Sequence, residues 1–559
     1  MASSPLRARA SALADLAQSG VDVLVIGGGI TGAGVALDAA TRGLRVALVE
    51  RHDFASGTSS KSSKLIHGGV RYLRQREFGL VHEALTERHR LLQNAPHLVE
   101  EAPFLVPVIA APDEHGRAKA RVYQRVMSVG LWTYDAIGSW RAGRIHKRAS
   151  RERVMELMPA LDCDRVVGGY LYVDARADDA RLTLAIAQTA RADYGTTICN
   201  YSEVMALHTA GGRVSGATVR DALSGEIYDI AARAVVNAAG VWSDEVRALA
   251  GPHPHAIRPA KGVHITVPAA KLPVRTSAVL QVTGDDRIIF VIPWEHYVYV
   301  GTTDTDYHGS LDDPQCDADD IAYLLGAVNA CVRQALTPAD ITATWAGLRP
   351  LIAEANSAKT ADLSRRHSVL VSDSGLVTIT GGKLTSYRKM AEDTVDAVVE
   401  LLELSPKPKS GTEQLLIYGA DGLAALTAPD AAARLGIDDA MLDHLRSRYG
   451  VHARTVAALL HNDSTLAQPI VPGLSYLAAE VIYAIRYELA CTLDDVLARR
   501  TRALILDREG ARAAAPQVAA LMAPELGWDE AEINRQVAAF ETICVAEAAA
   551  ESHSARLGE

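Results

Sequence analysis

The feature that most constrains the fold is a glycine-rich turn, Gly27-x-Gly29-x-x-Gly32, near the start of the chain. An apolar run, VDVLVI, precedes the turn, and an alanine-rich stretch at helical spacing and a second apolar run, RVALVE, follow it. A strand, a glycine turn, a helix and a second strand within about thirty residues are typical of the βαβ unit of a parallel sheet. The chain is therefore predicted to contain an α/β domain built on such a sheet.

The same turn predicts a dinucleotide site. Gly27 permits the tight turn, Gly29 lets the backbone approach a pyrophosphate, and Gly32 allows the helix to pack closely on the strand. The pyrophosphate then lies at the positive end of the helix. Glu50, about 20 residues further on at the end of the second strand, can accept hydrogen bonds from an adenosine ribose. An acid at this position favours NAD or FAD over NADP.

Two later segments favour FAD. The segment 235–244, VVNAAGVWSD, is a predicted strand that ends in Ala-Gly with a tryptophan beyond, and it resembles the second fingerprint of flavoproteins. The segment 376–393, LVTITGGKLTSYRKMAED, is a predicted strand, a Gly-Gly turn and a helix. The N-terminus of that helix could face the pyrimidine oxygens of a flavin and stabilise negative charge on the reduced ring.

Length and composition limit the class of protein. A chain of 559 residues is too long for one hydrophobic core, so two or three domains are expected. The formal net charge of -10 argues against nucleic acid as a partner. The six cysteines are scattered without a CxxC pair, so neither a zinc site nor a redox dithiol is predicted. We find no signal peptide and no run of about 18 apolar residues, so any membrane contact is expected to be peripheral.

The rest of the chain alternates between helical and strand patterns. We predict an amphipathic helix over 80–100, short strands over 196–240 and a strand-rich stretch over 256–304. KPKSGT at 407–412 reads as a linker, and the chain beyond it is rich in alanine and leucine without glycine motifs. This last part is predicted to be a separate helical domain.

Several long strings resemble the FAD-dependent glycerol-3-phosphate dehydrogenases. They are TSSKSSKLIHGGVRYL (58–73), IRPAKGVHITVP, FVIPW, GTTDTDY, WAGLRPL and GGKLTSYRK, with YELACTLDDVLARRTR (487–502) nearer the end. The first six fall in consistent order along the chain. The amino-acid-oxidase-like flavoproteins share only the glycine turns.

This resemblance implies a fold class of α/β plus α, with a Rossmann-type FAD-binding domain, an antiparallel-sheet substrate domain and a helical C-terminal domain. The expected boundaries are 1–95, 160–255 and 345–402 for the discontinuous FAD-binding domain, 96–159 and 256–344 for the substrate-binding domain, and 412–559 for the helical domain. The implied reaction oxidises sn-glycerol 3-phosphate to dihydroxyacetone phosphate, reduces FAD and passes the electrons to ubiquinone or menaquinone. The implied enzyme is a homodimer, peripheral on the inner face of the cytoplasmic membrane.

The resemblance also implies the residues that act on the substrate. A dianionic phosphate needs cations, and the C2 hydroxyl needs a base. The implied substrate residues are Arg71, Tyr72, Arg349, Arg365 and Lys383, and Arg349 also counts as catalytic. His264 is the first candidate for the base and Lys383 the second, while Arg349 would stabilise the developing alkoxide.

One string departs from the family. The family's version resembles Thr-Arg-Asp-Tyr, whereas this chain reads Ser364-Arg365-Arg366-His367. The departure leaves open which arginine faces the substrate. If Arg365 points into the cleft, strand alternation turns Arg366 outward.

The cofactor-binding residues combine the glycine motifs with the segment 58–73. They are Gly27, Gly29, Ile30, Thr31, Gly32, Glu50, Ser59, Ser60, Ser63, Lys64, Leu65, His67, Gly68, Gly69, Ala239, Gly240, Trp242, Gly381, Gly382, Lys383, Leu384 and Thr385. No metal site is predicted.

Alternatives stay open at this point. An oxidase would share the half-reaction but give its electrons to oxygen, and a flavin-loaded module without turnover is a second rival. The membrane contact could involve the N-terminal arginines Arg7 and Arg9 or the helical C-terminal domain, although a solvated face is the simpler reading for the arginines.

Overall fold

The computed structural model describes residues 5–70, 72, 77–111, 115–137, 145–282, 287–352 and 366–557. The strands are β1 (Val21–Ile26), β2 (Val46–Val49), β3 (Leu65–Ile66), β4 (Val99–Ile109), β5 (Lys147–Ala149), β6 (Val166–Ala177), β7 (Thr197–Cys199), β8 (Ser202–Ala210), β9 (Arg213–Asp221), β10 (Ile227–Asn237), β11 (Ile257–Pro268), β12 (Ser277–Gln281), β13 (Ile288–Trp294), β14 (Tyr297–Gly301), β15 (Thr305–Asp306), β16 (Ala343–Ile352), β17 (His367–Val371) and β18 (Val377–Gly381).

The helices are α1 (Pro5–Ser19), α2 (Ile30–Thr41), α3 (Phe78–Asn94), α4 (Gly116–Ile137), α5 (Arg151–Leu157), α6 (Asp179–Tyr194), α7 (Ser243–Ala248), α8 (Ala318–Asn329), α9 (Tyr387–Leu401), α10 (Ala431–Arg434), α11 (Asp439–Tyr449), α12 (Ala453–Asn462), α13 (Ala478–Glu488), α14 (Ala503–Leu506), α15 (Arg508–Leu526) and α16 (Glu530–Leu557). A π-helical turn, Asp495–Arg500, connects α13 with α14.

The predicted parallel sheet is confirmed. Its strands run in the order β17-β18-β10-β1-β2-β7. The five strands from β18 to β7 in this order are parallel to one another. β8 and β9 extend the sheet as an antiparallel pair, and β17 is antiparallel to β18. Because the five parallel strands share a direction, their carboxyl ends meet at one edge, where ligands bind in such sheets.

Small residues set the helix packing on this sheet. α2 is rich in alanine and glycine, and it packs against both α6 and α9. A Cβ on Gly34 would lie 2.8 Å from Cδ2 of Tyr387 in α9, so the two helices approach closely only because position 34 has no side chain.

A second, mostly antiparallel sheet has the order β15-β11-β14-β13-β12-β4-β6-β3, with β16 paired to β11 and β5 paired to β6. β6 and β16 therefore belong to this sheet, although the expected boundaries at 160 and 345 assigned both to the FAD-binding domain. Which strand pairs with which depends on contacts between distant parts of the chain, and the local hydrophobic pattern of the sequence does not encode them.

The segment after α3 also differs from the prediction. The predicted helix over 80–100 ends at Asn94, and β4 begins at Val99. Pro96 lies between them and disfavours the helical conformation of the residue before it, so the chain leaves the helix there.

The helical C-terminal unit begins beyond the predicted linker at 407–412. The linker lies on α2, where the hydroxyl of Thr412 donates to Asp38 at 3.2 Å and Gly411 N donates to Thr41 Oγ1 at 3.3 Å. Within the ranges that the structure describes, no helix has both the length and the apolar character needed to cross a bilayer.

Candidate functional site

A cavity of about 380 Å³ lies at the carboxyl ends of the parallel strands. The turn after β1, the end of β2, the turn after β10 and the Gly-Gly turn after β18 all contribute to it. The predicted cofactor residues that line it are Gly27, Gly29, Ile30, Thr31, Glu50, Ser59, Ala239, Gly240, Trp242, Gly381, Gly382, Lys383 and Leu384. The three segments that the sequence places far apart thus share one cavity.

The glycine turn leaves the start of α2 open to this cavity. Gly27 has φ of +110°, a conformation that favours glycine, and a Cβ on Gly32 would overlap the Gly27 carbonyl oxygen. Gly29 is the N-cap of α2 and makes no side-chain cap, while Ile30 N donates to Ser59 Oγ at 2.9 Å. The positive end of a helix therefore faces the cavity, as an anion site requires.

Glu50 is held rigidly beside that turn. Its Oε2 accepts from Gly28 N at 2.6 Å and its Oε1 accepts from His52 N at 2.8 Å. Burial raises the pKa of Glu50, and these two backbone donors oppose the shift. Each carboxylate oxygen keeps a further lone pair, so Glu50 can still accept from a ribose hydroxyl.

Trp242, in the turn after β10, contacts two residues that the sequence analysis missed, Arg51 and Asp312. Trp242 Nε1 donates to Asp312 Oδ1 at 2.9 Å, and the guanidinium of Arg51 lies 5.1 Å from the centroid of the Trp242 ring. Arg51 also pairs with Asp312 at 2.6 Å. Arg51 follows Glu50 directly, but no spacing in the sequence connects it with Asp312.

The turn after β18 places a cation at the cavity. Gly381 and Gly382 have φ of +75° and +82°, and the Lys383 side chain follows them. Lys383 Nζ lies 3.8 Å from the centroid of the Tyr72 ring. Thr385 does not line the cavity; its Oγ1 accepts from His67 N at 3.1 Å and so ties this turn to the segment 58–73.

Most of the described residues in the segment 58–73 do not line the cavity. Among the described residues, the cavity lining does not include Ser60, Ser63, Lys64, Leu65, His67, Gly68 or Gly69, all predicted to bind the cofactor. Lys64 is buried, and its Nζ lies 3.2 Å from Oδ1 of Asp179. Burial, and to a smaller extent the charge of Arg502, lowers the pKa of Lys64 to about 8, although Asp179 and Asp178 act in the opposite direction. Gly68 N donates to the hydroxyl of Tyr134 at 3.1 Å.

His264 lies in β11 and is 2% exposed. Its ring stacks on Trp345 with 4.6 Å between centroids and 8° between planes, and Nε2 lies 2.9 Å from Ser63 Oγ. Burial lowers the pKa of His264 well below its ordinary value, and the charges of Lys64 and Arg349 add to the effect. The imidazole is therefore neutral near pH 7, which a base requires.

Arg349 lies in β16 opposite Ala260 of β11. Its Nη1 donates to Asp304 Oδ1 at 3.1 Å, and Nη2 donates to Thr302 Oγ1 at 3.4 Å. A Cβ on Gly262 would lie 2.7 Å from Nη2, so a glycine at 262 makes room for the guanidinium. Thr302 and Asp304 belong to the string GTTDTDY, which carries the resemblance to the family but was assigned no part in the site.

Two predicted substrate residues, Arg71 and Arg365, lie outside the described residues. Arg366 is exposed and pairs with Glu77 at 2.6 Å. Arg9, considered above as a membrane contact or a solvated side chain, is neither, because it is 4% exposed and pairs with Asp221.

The residues at the cavity fit a dinucleotide. Glycines line the cavity where a side chain would block a pyrophosphate, an uncapped helix N-terminus faces it, and a carboxylate stands at the end of the second strand. These are the groups that hold the adenosine diphosphate half of FAD or NAD.

Comparisons with known proteins identify the cofactor. The model of the FAD dependent oxidoreductase family matches residues 22–388, and that of the C-terminal domain of alpha-glycerophosphate oxidase matches residues 410–533. The chain is 43% identical over 536 residues to glycerol-3-phosphate dehydrogenase 2 of Mycobacterium bovis, which covers 95% of this chain and 89% of that one. It is 39% identical to the mitochondrial glycerol-3-phosphate dehydrogenase of Bos taurus, with 92% of this chain and 72% of that one covered.

A solved structure matches nearly the full length of the chain. The glycerol-3-phosphate dehydrogenase from Bacillus halodurans complexed with FAD matches with a TM-score of 0.80 and 31% identity, covering 98% of this chain and 99% of that one. The chain belongs to the FAD-dependent oxidoreductase family, among the glycerol-3-phosphate dehydrogenases, and its cofactor is FAD.

Proposed function

We propose that this chain oxidises sn-glycerol 3-phosphate to dihydroxyacetone phosphate and passes the electrons to a membrane quinone, ubiquinone or menaquinone. The observation that carries the proposal is the single cavity whose lining runs from Gly29 and Glu50 to Lys383. It joins the groups that hold a dinucleotide to a cation suited to an anionic substrate. The named relatives support the choice of glycerol 3-phosphate.

The chain's residues divide the work of binding. The N-terminus of α2 holds the pyrophosphate of FAD and Glu50 holds its adenosine ribose. Lys383 and Arg349, with Tyr72, Arg71 and Arg365, bind the substrate and its phosphate, since planar and point cations both suit a phosphate dianion. When bound, FAD supplies the acceptor for the hydride that leaves C2.

The proton of the C2 hydroxyl goes to His264 in this proposal, with Lys383 as the alternative base. His264 is neutral, so its ring nitrogen has a lone pair available. Nε2 contacts Ser63 Oγ, which connects the imidazole to the segment that borders the cofactor cavity. Arg349, whose charge already acts on His264, stabilises the alkoxide as it develops.

The helix α4 offers a surface for the membrane contact. Four large apolar side chains on it are exposed: Val122 by 60%, Val126 by 63%, Val129 by 68% and Trp132 by 57%. Their helical spacing places them on one face, opposite the buried Ala120, Gln124, Leu131 and Tyr134. An apolar face of this extent is typical of a helix that lies in a membrane interface.

The charge on α4 favours an anionic bilayer as the partner. Arg117, Lys119, Arg121 and Arg125 are exposed on this helix, whereas the whole chain has a net charge of -10. A basic, apolar helix on an acidic protein is complementary to anionic lipid headgroups. We therefore propose that the enzyme lies on the inner face of the cytoplasmic membrane, with α4 in the lipid interface. The proposal of a homodimer rests on the family resemblance alone.

Steady-state turnover tests the proposed reaction. Purified protein should oxidise glycerol 3-phosphate with a soluble quinone analogue and yield little hydrogen peroxide in air. Peroxide formed in proportion to substrate consumed would instead identify an oxidase. A yellow protein that oxidises no glycerol 3-phosphate with either acceptor would be a flavin-binding module without turnover.

Vesicle binding tests the membrane surface. The double variant Val126→Asp/Val129→Asp should lose most of its co-sedimentation with phosphatidylglycerol vesicles, because the charges oppose insertion of the apolar face. The control Ile227→Asp changes an equally exposed apolar residue, at 63%, elsewhere on the surface. Equal binding by both variants would contradict α4 as the membrane contact.

A further inference from the structure

Two buried aspartates connect the cofactor site to the helical C-terminal unit. Asp53 belongs to a first cofactor loop, residues 50–57, and Asp179 supports a second cofactor loop, residues 58–64. Both aspartates are fully buried, and both bond to arginines from the short segment 499–502. The family resemblance assigned no role to these arginines.

Asp53 is held by two guanidinium groups. Arg500 forms a bidentate pair with it, Nη1 to Oδ2 at 2.6 Å and Nη2 to Oδ1 at 2.8 Å, and Arg499 Nε donates to Oδ2 at 2.6 Å. Burial would raise the pKa of Asp53, but the two arginines hold it at about 2. The carboxylate is thus ionised, and bidentate pairing fixes its orientation as well as its charge.

The first loop transmits this contact to the glycine turn. Ala55 N donates to Gly28 O at 3.1 Å, and a Cβ on Gly28 would lie 2.7 Å from Cδ1 of Phe54. Glu50, at the start of the same loop, accepts from Gly28 N. The residues on both sides of Asp53 therefore determine where the turn and the ribose-binding carboxylate lie.

Arg502 acts in the same way on the second loop. Its Nη2 donates to the carbonyl of Ser60 at 2.7 Å and to Asp179 Oδ1 at 2.7 Å. The other oxygen, Oδ2 of Asp179, accepts from Ser62 N at 3.0 Å and from Ser62 Oγ at 2.7 Å. Ser59, the neighbour of Ser60, lines the cavity and accepts from the first amide of α2.

Backbone conformation marks the same segments. Ala55 in the first loop, Lys64 in the second and Arg502 itself have φ of +63°, +57° and +81°. Residues other than glycine adopt this left-handed conformation when their surroundings hold them there. Both loops thus depend on contacts from outside to keep the shape that lines the cavity.

We propose that Arg499, Arg500 and Arg502 are positioning residues for FAD: they hold the two cofactor loops in the binding conformation, and the C-terminal helical unit thereby sets the affinity for FAD. They contact the loops and do not line the cavity, so they act through Asp53 and Asp179. The proposal concerns cofactor binding alone, and its test needs no substrate, acceptor or membrane.

The test is a titration of apoprotein with FAD, followed by flavin fluorescence. Arg500→Lys keeps the charge but removes the fork that binds both oxygens of Asp53. Arg502→Lys keeps the charge but removes the Nη2 atom that donates to both Ser60 and Asp179. Each variant should bind FAD at least about tenfold more weakly, because a loss of this size is typical when the contacts that support a binding residue are removed. Arg486→Lys is the matched control, because Arg486 pairs with Glu525 on the surface of the same unit.

Thermal unfolding of each apoprotein separates positioning from general stability. An FAD affinity within about twofold of the wild type in both lysine variants, with only the melting temperature lowered, would overturn the proposal. If the lysine variants do not fold, Ser62→Ala decides, since it removes one bond to Asp179 without leaving a buried charge. It should bind FAD about threefold more weakly, and an unchanged affinity there would equally overturn the proposal.

Discussion

Single residues at this site act through the space they leave and the partners they orient. Gly29 leaves the cavity open in front of α2, and Gly262 and Gly301 leave room for the side chains of Arg349 and His264. Glu50 and Asp53, three residues apart, have different partners: Glu50 accepts backbone amides, and Asp53 pairs with arginines. Environment, more than residue type, thus decides which carboxylate can take a ligand.

Gly29→Val should yield protein without bound flavin. An added Cβ would lie 3.1 Å from Ser59 Oγ, and the branches beyond it would occupy the part of the cavity that the proposal assigns to the pyrophosphate. Gly326→Val is the control, since Gly326 is exposed on α8 and a Cβ there meets nothing within 4 Å. The visible spectrum of the purified proteins checks this, and a full flavin spectrum in the Gly29 variant would contradict the assignment.

Arg349→Ala should lower kcat/KM for glycerol 3-phosphate by at least about 10²-fold, because the proposal makes Arg349 a charged partner of the substrate phosphate. Its flavin content should stay unchanged. Arg366→Ala should behave like the wild type, since the exposed pair of Arg366 with Glu77 contributes little. Steady-state kinetics of the two variants check this prediction. Near-normal kinetics for Arg349→Ala would assign Arg349 a structural role.

At the scale of elements, the parallel sheet was predictable and the strand partners were not. The turn at Gly27, the apolar runs around it and Glu50 are local signals, and the structure has β1, α2 and β2 where these signals predict them. The sequences of β6 and β16 carry no such local signal. Only their observed pairing with other strands shows that they belong to the second sheet. The contacts of Asp53 and Asp179 with residues 499–502 join positions hundreds apart in the sequence, and no periodicity reports them.

The last helix, α16, contains a carboxyl group that makes stability depend on pH. The Oε2 atom of Glu547 is enclosed and has no hydrogen-bond partner among the described residues, although the residue as a whole is half-buried. Burial raises its pKa to about 8; Asp494 and Asp313 add to the shift, and Lys61 and Arg508 oppose it. Between its ordinary value of 4.5 and about 8, the unfolded chain ionises and the folded protein does not, so stability falls as pH rises.

Glu547→Gln should remove that loss. Its melting temperature should match the wild type near pH 4.5 and exceed it by about 2 °C or more at pH 8.5. Glu541→Gln, which removes a surface pair with Arg512 on the same helix, is the control and should show no such growth with pH. Melting curves across this pH range check the prediction, and a difference that shrinks as pH rises would contradict the raised pKa.

At the scale of the whole molecule, three units contribute to the proposed site, although only the first of them supplies most of the cavity lining. The parallel sheet supplies the dinucleotide site, the second sheet supplies His264 and Arg349, and the C-terminal unit holds both cofactor loops. The strings that resemble the family predict the first two of these roles. The third became visible only from the buried contacts of the arginines.

The central claim is that this assembly removes a hydride from glycerol 3-phosphate, and anaerobic reduction of the bound flavin tests it most directly. Adding glycerol 3-phosphate to the purified yellow protein without oxygen should bleach the oxidised flavin and release one dihydroxyacetone phosphate for each flavin reduced. Free glycerol, which lacks the phosphate, should leave the spectrum unchanged at the same concentration. A flavin that stays oxidised with glycerol 3-phosphate, yet is bleached by dithionite, would contradict the account.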